Sequence, residues 1–263
     1  MGGNNMSLNI DISLEKQLET LGLLTFAKTY QALAQTMEKE KKSMVDFLKE
    51  LTQTEVNQRH QKRVEKLLKA CKLPRSKHLQ DFESNRIPGL SLSKIQELSF
   101  GEFIDRYENL LIFGSPGTGK THLSIGLARE WCLQNRKVYY SSAASLVQQL
   151  LKAKSELKLD QFIKKLDGFE ILVVDDISYI PFETRETDVL FTLLSARYET
   201  RSVVITSNLP FAKWNQIFKD EMTTAAAIDR LVHHAIVLEL NVESYRIATA
   251  KLRKQKTAKQ IEI

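Results

Sequence analysis

The chain has 263 residues, 43% of them hydrophobic, which is enough to bury one sizeable core and a second small module. Its longest apolar runs are of strand length and its first nine residues are polar, so we expect a cytoplasmic protein without a membrane partner. The formal net charge of +6 indicates a polyanionic partner.

Apolar residues recur at spacings of three and four between about residues 12 and 71, beginning with Leu18, Leu21 and Leu24. This is the spacing of amphipathic helices. The stretch contains one glycine, Gly22, and no proline until Pro74 closes it. We therefore predict a small all-α N-terminal domain of about three helices over residues 1–78, which binds DNA or a partner.

Positive charge is concentrated in residues 58–78, which contain eight lysines and arginines and a single acidic residue, Glu65. Such a concentration of one sign repels itself unless phosphates neutralise it. A solvated helix face is the alternative. The first candidates for DNA contact are Arg59, Lys62, Arg63, Lys66 and Lys69.

The remaining residues, 79–263, alternate between strand and helix patterns after a loop at Pro88. Strands are predicted at 110–113, 137–141, 171–175, 203–207 and 235–238. One helix containing Ile95, Leu98, Phe103 and Ile104 is predicted before the first strand, and further helices near 118–133, 144–153, 184–198 and 225–232. Alternation of this kind predicts an α/β domain with a five-stranded parallel sheet sandwiched by helices.

Residues 114–121 form a glycine-rich octapeptide directly behind the apolar run 110–113. Glycines let a backbone turn tightly and approach phosphates, and the following helix directs its positive end at them. A chance match is the alternative, which the preceding strand and following amphipathic helix argue against. We expect the loop to bind ATP, with its terminal lysine on the phosphates and its threonine on Mg²⁺. The predicted nucleotide-binding residues are Gly114, Ser115, Pro116, Gly117, Thr118, Gly119, Lys120 and Thr121.

Polar side chains end the next two apolar runs. Asp175 and Asp176 follow residues 171–174, and Asn208 follows 203–207. Behind a phosphate loop, Asp175 is expected in the shell of the metal and Asp176 beside the attacking water. An amide at Asn208 can donate to the γ-phosphate and orient water, although a turn asparagine before Pro210 is an equal alternative.

The order of these motifs resembles that of the AAA+ ATPases, in the branch with the DnaA initiator and the DnaC helicase loader. A closer likeness is to IstB, the helper ATPase of insertion-sequence transposons. It is carried by DDISYIPF at 175–182, TSNLP at 206–210, and DRLVHH at 229–234 followed by ESYR at 243–246. The resemblance covers roughly residues 79–246.

The resemblance implies roles for three more positions. Asn208 matches the residue called sensor 1, Arg230 the arginine finger and Arg246 sensor 2. A guanidinium placed in trans beside the γ-phosphate stabilises the charge of phosphoryl transfer. For Arg230, an ion pair at the helix end with Asp229 or Glu239 is the alternative.

Two features depart from the family pattern. Asp176 stands where most AAA+ proteins carry a glutamate, so its carboxylate is one methylene shorter and hydrolysis is expected to be slow. The residues after Arg246 are too few for a full helical lid, and we expect an abbreviated one within the ATPase domain 79–263.

The resemblance implies a transposon helper that assembles with ATP into a filament or ring of identical copies on duplex DNA. It would hydrolyse ATP slowly, be stimulated by that assembly, and promote target selection and insertion by the transposase of the same element. The nearest alternative is a DnaC-like replicative helicase loader. A P-loop kinase for a small molecule and a non-enzymatic, ATP-gated interaction module are the remaining alternatives.

Overall fold

The computed structural model describes residues 13–74, 76–177, 183–216, 221–245 and 247. Within these ranges the chain forms ten α-helices and five strands. The helices are α1 Leu14–Thr20, α2 Leu24–Lys39, α3 Met44–Cys71, α4 Leu92–Phe100, α5 Glu102–Asp105, α6 Lys120–Leu133, α7 Ala143–Ser155, α8 Leu159–Asp167, α9 Thr184–Arg197 and α10 Glu221–Val232. Short 3₁₀ turns cover Leu79–Asp81, Ser84–Arg86 and Phe211–Gln216.

The five strands form one parallel sheet in the order β2-β3-β4-β1-β5. They are β1 Asn109–Gly114, β2 Val138–Ser142, β3 Ile171–Ile177, β4 Ser202–Ser207 and β5 Ala235–Leu240. All five predicted strands are therefore confirmed. Because β3, β4 and β1 are neighbours and parallel, the segments that follow them emerge side by side at one edge of the sheet.

Alternate residues of the central strands enter two separate cores. Leu111 and Val174 belong to the core that packs against α7, α8, α9 and α10. Leu110, Ile112 and Val173 belong to the core that packs against α4, α5 and α6. The sheet is thus covered on both faces, which explains why these strands are uninterrupted apolar runs in the sequence.

Local signals account for several helix ends. The Ser91 side chain accepts a hydrogen bond from the Lys94 amide and caps α4, and Ser142 caps α7 in the same way. Gly101, with a φ of +72°, ends α4 and separates it from α5, where the sequence predicted one continuous helix. The amphipathic helix α8 was not predicted, and the helix after the phosphate loop begins at Lys120 rather than 118.

The chain divides into two compact units, one ending at Glu65 and one beginning at Lys66. This division lies inside α3, earlier than the predicted boundary between residues 78 and 79. Cys71, on the last turn of α3, belongs to the core around α4 and α6. Apolar packing therefore assigns the end of α3 to the second unit.

The N-terminal unit contains α1, α2 and the first part of α3. Met37, Leu51 and Val64 are its buried apolar side chains among the described residues. The Glu55 carboxylate is buried too, and it accepts hydrogen bonds from the Thr25 amide at 2.9 Å and from Arg59 Nε at 2.6 Å. Polar contacts thus supplement a small apolar interior.

None of the helices in the described ranges is both long and apolar enough to cross a membrane.

Candidate nucleotide site

The loop between β1 and α6 has the backbone that a phosphate-binding loop requires. Gly117 and Gly119 have φ values of +84° and +107°, in the left-handed region. A Cβ on Gly117 would lie 2.2 Å from Ser244 Oγ, and one on Gly119 would lie 3.0 Å from the Phe82 ring. Glycine is needed at both positions for conformation and for space.

Lys120 begins α6 and is only 7% exposed. Its ammonium donates to the carbonyl oxygens of Gly114 at 2.6 Å and Ser115 at 3.0 Å, and Thr118 Oγ1 donates to the same Ser115 carbonyl at 2.9 Å. The loop is therefore tied to its own lysine. Because α6 begins here, its unpaired amides and the positive end of its dipole lie at the loop.

A cavity of about 550 Å³ opens beside this loop. This volume lies within the range of pockets that take small ligands. The loop and the start of α6 form one wall, residues 77–87 and 242–245 contribute another, and Asp176 and Asn208 contribute polar groups from the ends of β3 and β4. The cavity thus joins the loop to two of the predicted site residues.

The second wall of the cavity, formed by residues 77–87 and 242–245, was not predicted as part of the site. The Tyr245 amide donates to the Gly117 carbonyl at 2.9 Å, its hydroxyl donates to Glu83 at 3.5 Å, and Arg86 lies 4.9 Å above its ring. The Phe82 ring contacts His122 edge to face. Tyr245 belongs to the ESYR motif, but no periodicity or motif indicated that it meets Phe82 and Glu83, which lie more than 150 positions earlier in the chain.

The two adjacent carboxylates at the end of β3 have different surroundings. Asp175 is buried, and its two oxygens accept hydrogen bonds from Tyr140 Oη at 2.8 Å and Thr206 Oγ1 at 2.7 Å. Asp176 is exposed and lines the cavity, with a left-handed φ of +60°. Of these two carboxylates, Asp176 lines the cavity, whereas Asp175 is buried beside Tyr140 and Thr206.

Asn208 lies on the cavity wall next to Asp176. Its Oδ1 is buried and has no hydrogen-bond partner among the described residues. The preceding Ser207 hydroxyl donates to the Ile177 carbonyl at 2.8 Å, which fastens the ends of β3 and β4 together. Because a buried, unpaired amide oxygen is unfavourable, this group is suited to a ligand or an ordered water.

Arg230 does not line the cavity of its own chain. Its guanidinium donates to Ser195 Oγ on α9 at 2.7 Å and lies 4.9 Å above the Phe191 ring. It makes no ion pair with a described carboxylate. Its contacts are with α9, not with Asp229 or Glu239, which were the alternative ion-pair partners. Arg246, predicted as sensor 2, lies outside the described residues.

The DNA-contact candidates differ from one another. Lys62, Arg63, Lys66 and Lys69 are exposed on α3. Arg59 instead bonds Glu55 and also donates to the Gly22 carbonyl at 2.8 Å. Of the five predicted residues, Arg59 is therefore the one with an evident structural role.

The motifs resemble those of IstB, DnaA and DnaC. Comparison with known families shows to which of these families the chain belongs. The family described as IstB-like ATP binding protein matches residues 16–254. This chain belongs to the IstB-like family. The match extends through the N-terminal helices as well as the second unit, so both regions are family features.

Individual IstB-like relatives support the assignment. A Sinorhizobium fredii protein described as an insertion sequence ATP-binding protein is 38% identical over 234 residues, or 89% of this chain and 78% of the relative. The ATP-binding protein of insertion sequence IS21 from Pseudomonas aeruginosa is 35% identical, over 89% of this chain and 88% of the relative.

Solved structures confirm the AAA+ fold of this IstB-like chain. AMPPCP-bound DnaA from Aquifex aeolicus superposes with a TM-score of 0.55 at 21% identity, over 70% of this chain and 56% of that one. The DnaC helicase loader gives a TM-score of 0.51 at 18% identity, over 63% of this chain and 97% of that one. The predicted kinship with DnaA and DnaC is thus borne out at the level of fold.

Proposed function

We propose that this IstB-like protein binds and hydrolyses ATP, and that ATP-bound copies assemble on duplex DNA to promote target selection and insertion by the transposase of their element. The observation that carries the proposal is the cavity in which the phosphate loop, Asp176 and Asn208 converge. Family membership supports ATP as the nucleotide.

The residues present fit a nucleotide triphosphate. The left-handed glycines let the loop amides approach phosphates, and Lys120 adds a positive charge at the same place. Residues Gly114 to Thr121 would hold the phosphates, while Phe82 and Tyr245 line the other wall of the cavity. The unpaired Asn208 oxygen is a polar group available for hydrolysis.

The chemistry of the oxygen donors fits Mg²⁺ as well. The Thr121 hydroxyl and the Asp175 carboxylate would hold it, because this ion prefers oxygen ligands and retains several waters. When bound, Mg²⁺ neutralises negative charge on the β- and γ-phosphates. Asp176 would orient the attacking water and accept its proton, and Asn208 would donate to the γ-phosphate.

Assembly is proposed because the candidate arginine finger, Arg230, lies away from the site of its own chain. Arg230 is held on α9 and does not line the cavity. A neighbouring copy could supply its own Arg230 to the γ-phosphate, and Arg246 is proposed to act as sensor 2. Hydrolysis would then depend on assembly, which accords with a short Asp176 carboxylate.

The exposed basic residues of α3 support DNA as the surface on which copies assemble. Lys62, Lys66 and Lys69 are spaced four and three apart, which places them along one side of the helix, and Arg63 is adjacent to Lys62 in sequence. Contacts of this kind are made to phosphates and carry little sequence information. Target choice is therefore assigned to the assembly and its transposase rather than to these side chains.

The proposal is tested by measuring affinity for duplex DNA, with a non-hydrolysable ATP analogue, between about 50 and 200 mM salt. We expect a steep fall in affinity, because phosphate contacts release counterions. Electron micrographs should show assemblies with both analogue and duplex, and none when either is omitted.

The test variant is Lys120→Ala. The matched control is Lys152→Ala, which removes an exposed lysine on α7 outside the cavity. Only the first change should abolish assembly. Affinity that is indifferent to salt, or assembly by Lys120→Ala, would refute the proposal. Tighter binding to a single strand of equal length would favour the helicase-loader alternative.

A further inference from the structure

The Asp175 carboxylate is held by hydroxyl groups from the two strands that flank β3. Tyr140 on β2 donates to Asp175 Oδ2 at 2.8 Å, and Thr206 on β4 donates to Asp175 Oδ1 at 2.7 Å. Thr206 Oγ1 also accepts the Asp176 backbone N–H at 2.8 Å. These two hydroxyls, which we call the hydroxyl clamp, fix both carboxylate oxygens of Asp175.

A β-bulge explains how one threonine reaches both acids. Val174 pairs with Ile205 and Ile177 pairs with Ser207, so two residues of β3 lie opposite Thr206 alone. A bulge of this kind redirects side chains next to a site. Here it accompanies the left-handed Asp176, which lines the cavity while Asp175 turns into the clamp.

The clamp orients Asp175 without exhausting its acceptor capacity. A carboxylate oxygen has two lone-pair directions, and each Asp175 oxygen accepts one of the hydroxyl bonds of the clamp. Each Asp175 oxygen therefore keeps acceptor capacity for a further ligand.

We infer that Tyr140 is a positioning residue for the magnesium nucleotide, and that it acts by orienting the Asp175 carboxylate jointly with Thr206. This inference rests on the proposed ATP site and extends it to the edge strand β2. Hydrogen bonds to a metal-ligating or water-ligating carboxylate tune metal affinity in this way.

The neighbouring tyrosine provides a matched control. Tyr139 is also half-buried on β2, but its hydroxyl donates to Gln149 Oε1 at 2.8 Å, away from both acids. Tyr139→Phe and Tyr140→Phe each delete one hydroxyl from adjacent positions of the same strand. A general loss of stability would affect both variants alike.

The experiment measures binding of a fluorescent ATP analogue while Mg²⁺ is titrated. Tyr140→Phe should need about tenfold more Mg²⁺ to reach half of its full effect on binding. Tyr139→Phe should match the parent, and all three proteins should bind the analogue equally in EDTA. An unchanged Mg²⁺ requirement in Tyr140→Phe would overturn the inference.

The Thr206 variants give a second, independent reading if Tyr140→Phe does not fold. Thr206→Val removes the hydroxyl and should raise the Mg²⁺ requirement relative to Thr206→Ser, which retains it. Equal requirements for these two variants would also overturn the inference. Failure of the parent to bind the analogue at all would instead refute the proposed ATP site, so the two failures are distinguishable.

Discussion

Positively charged side chains occur in two different settings in this protein. Lys120 is 7% exposed, lies within a shaped cavity and is held by two backbone carbonyls. The lysines of α3 are exposed in an open row on a helix surface. An enclosed charge suits one ligand of defined shape, whereas an exposed row suits any polyanion and is weakened by salt. The contrast predicts different consequences for removing charge in each place.

The largest effect is expected from changing Arg230. This change tests whether another copy completes the cavity that contains Lys120. Arg230→Ala should lower ATP turnover in the assembled state by about 10³-fold or more, because an arginine finger stabilises transition-state charge. Affinity for a non-hydrolysable analogue should change little, since Arg230 does not line the cavity of its own chain. Steady-state turnover and analogue binding are the two measurements.

Mixing inactive variants makes this test specific for action in trans. An Asp176→Asn copy keeps the phosphate loop and Arg230 but lacks the carboxylate proposed to activate water, so it should assemble and restore turnover to a neighbouring Arg230→Ala copy. Arg230→Ala alone at the parent rate, or mixtures without recovery, would show that the site does not work across copies.

An intermediate effect is expected in the open row. The double change Lys62→Gln and Lys66→Gln should reduce the slope of log affinity for duplex DNA against log salt by about 2, or about 1 per lost phosphate contact. The control, Lys164→Gln with Lys165→Gln, removes equal charge from exposed positions on α8. Equal losses in both doubles would mean that net charge, rather than α3, determines DNA binding.

The smallest effect separates Arg59 from its basic neighbours. Arg59→Ala removes bonds to the buried Glu55 carboxylate and to the Gly22 carbonyl, and should destabilise the N-terminal unit by about 1 to 2 kcal/mol. Hydrogen exchange of the α1 and α2 amides should accelerate accordingly. Lys62→Ala should leave that exchange unchanged, and a similar acceleration in it would contradict the structural role of Arg59.

Much of the fold could be predicted because its signals are local. Each predicted strand is an apolar run, and each is found, since burial on both sheet faces requires uninterrupted apolar residues. The short helix α8 was missed, and Gly101 was not read as a break between α4 and α5. The division at Lys66 could not be read either, because it depends on which core receives the end of α3.

The candidate site could be predicted only where residues lie at or directly after strand ends. The loop and Asn208 follow β1 and β4, Asp176 lies near the end of β3, and they meet at the cavity. Phe82, Glu83 and Tyr245 have no such position in sequence, and Tyr140 resembles any apolar strand residue. Their contribution comes from distant segments that only long-range packing brings together.

By itself the sequence determined the elements and the chemistry of the nucleotide site, because strand burial, glycine conformation and carboxylate spacing are local properties. Tertiary structure decided the rest. The order β2-β3-β4-β1-β5 places three strand ends side by side, and the bulge opposite Thr206 turns Asp175 and Asp176 to different surroundings. Such arrangements depend on how strands and helices pack across the whole unit, so no local pattern encodes them.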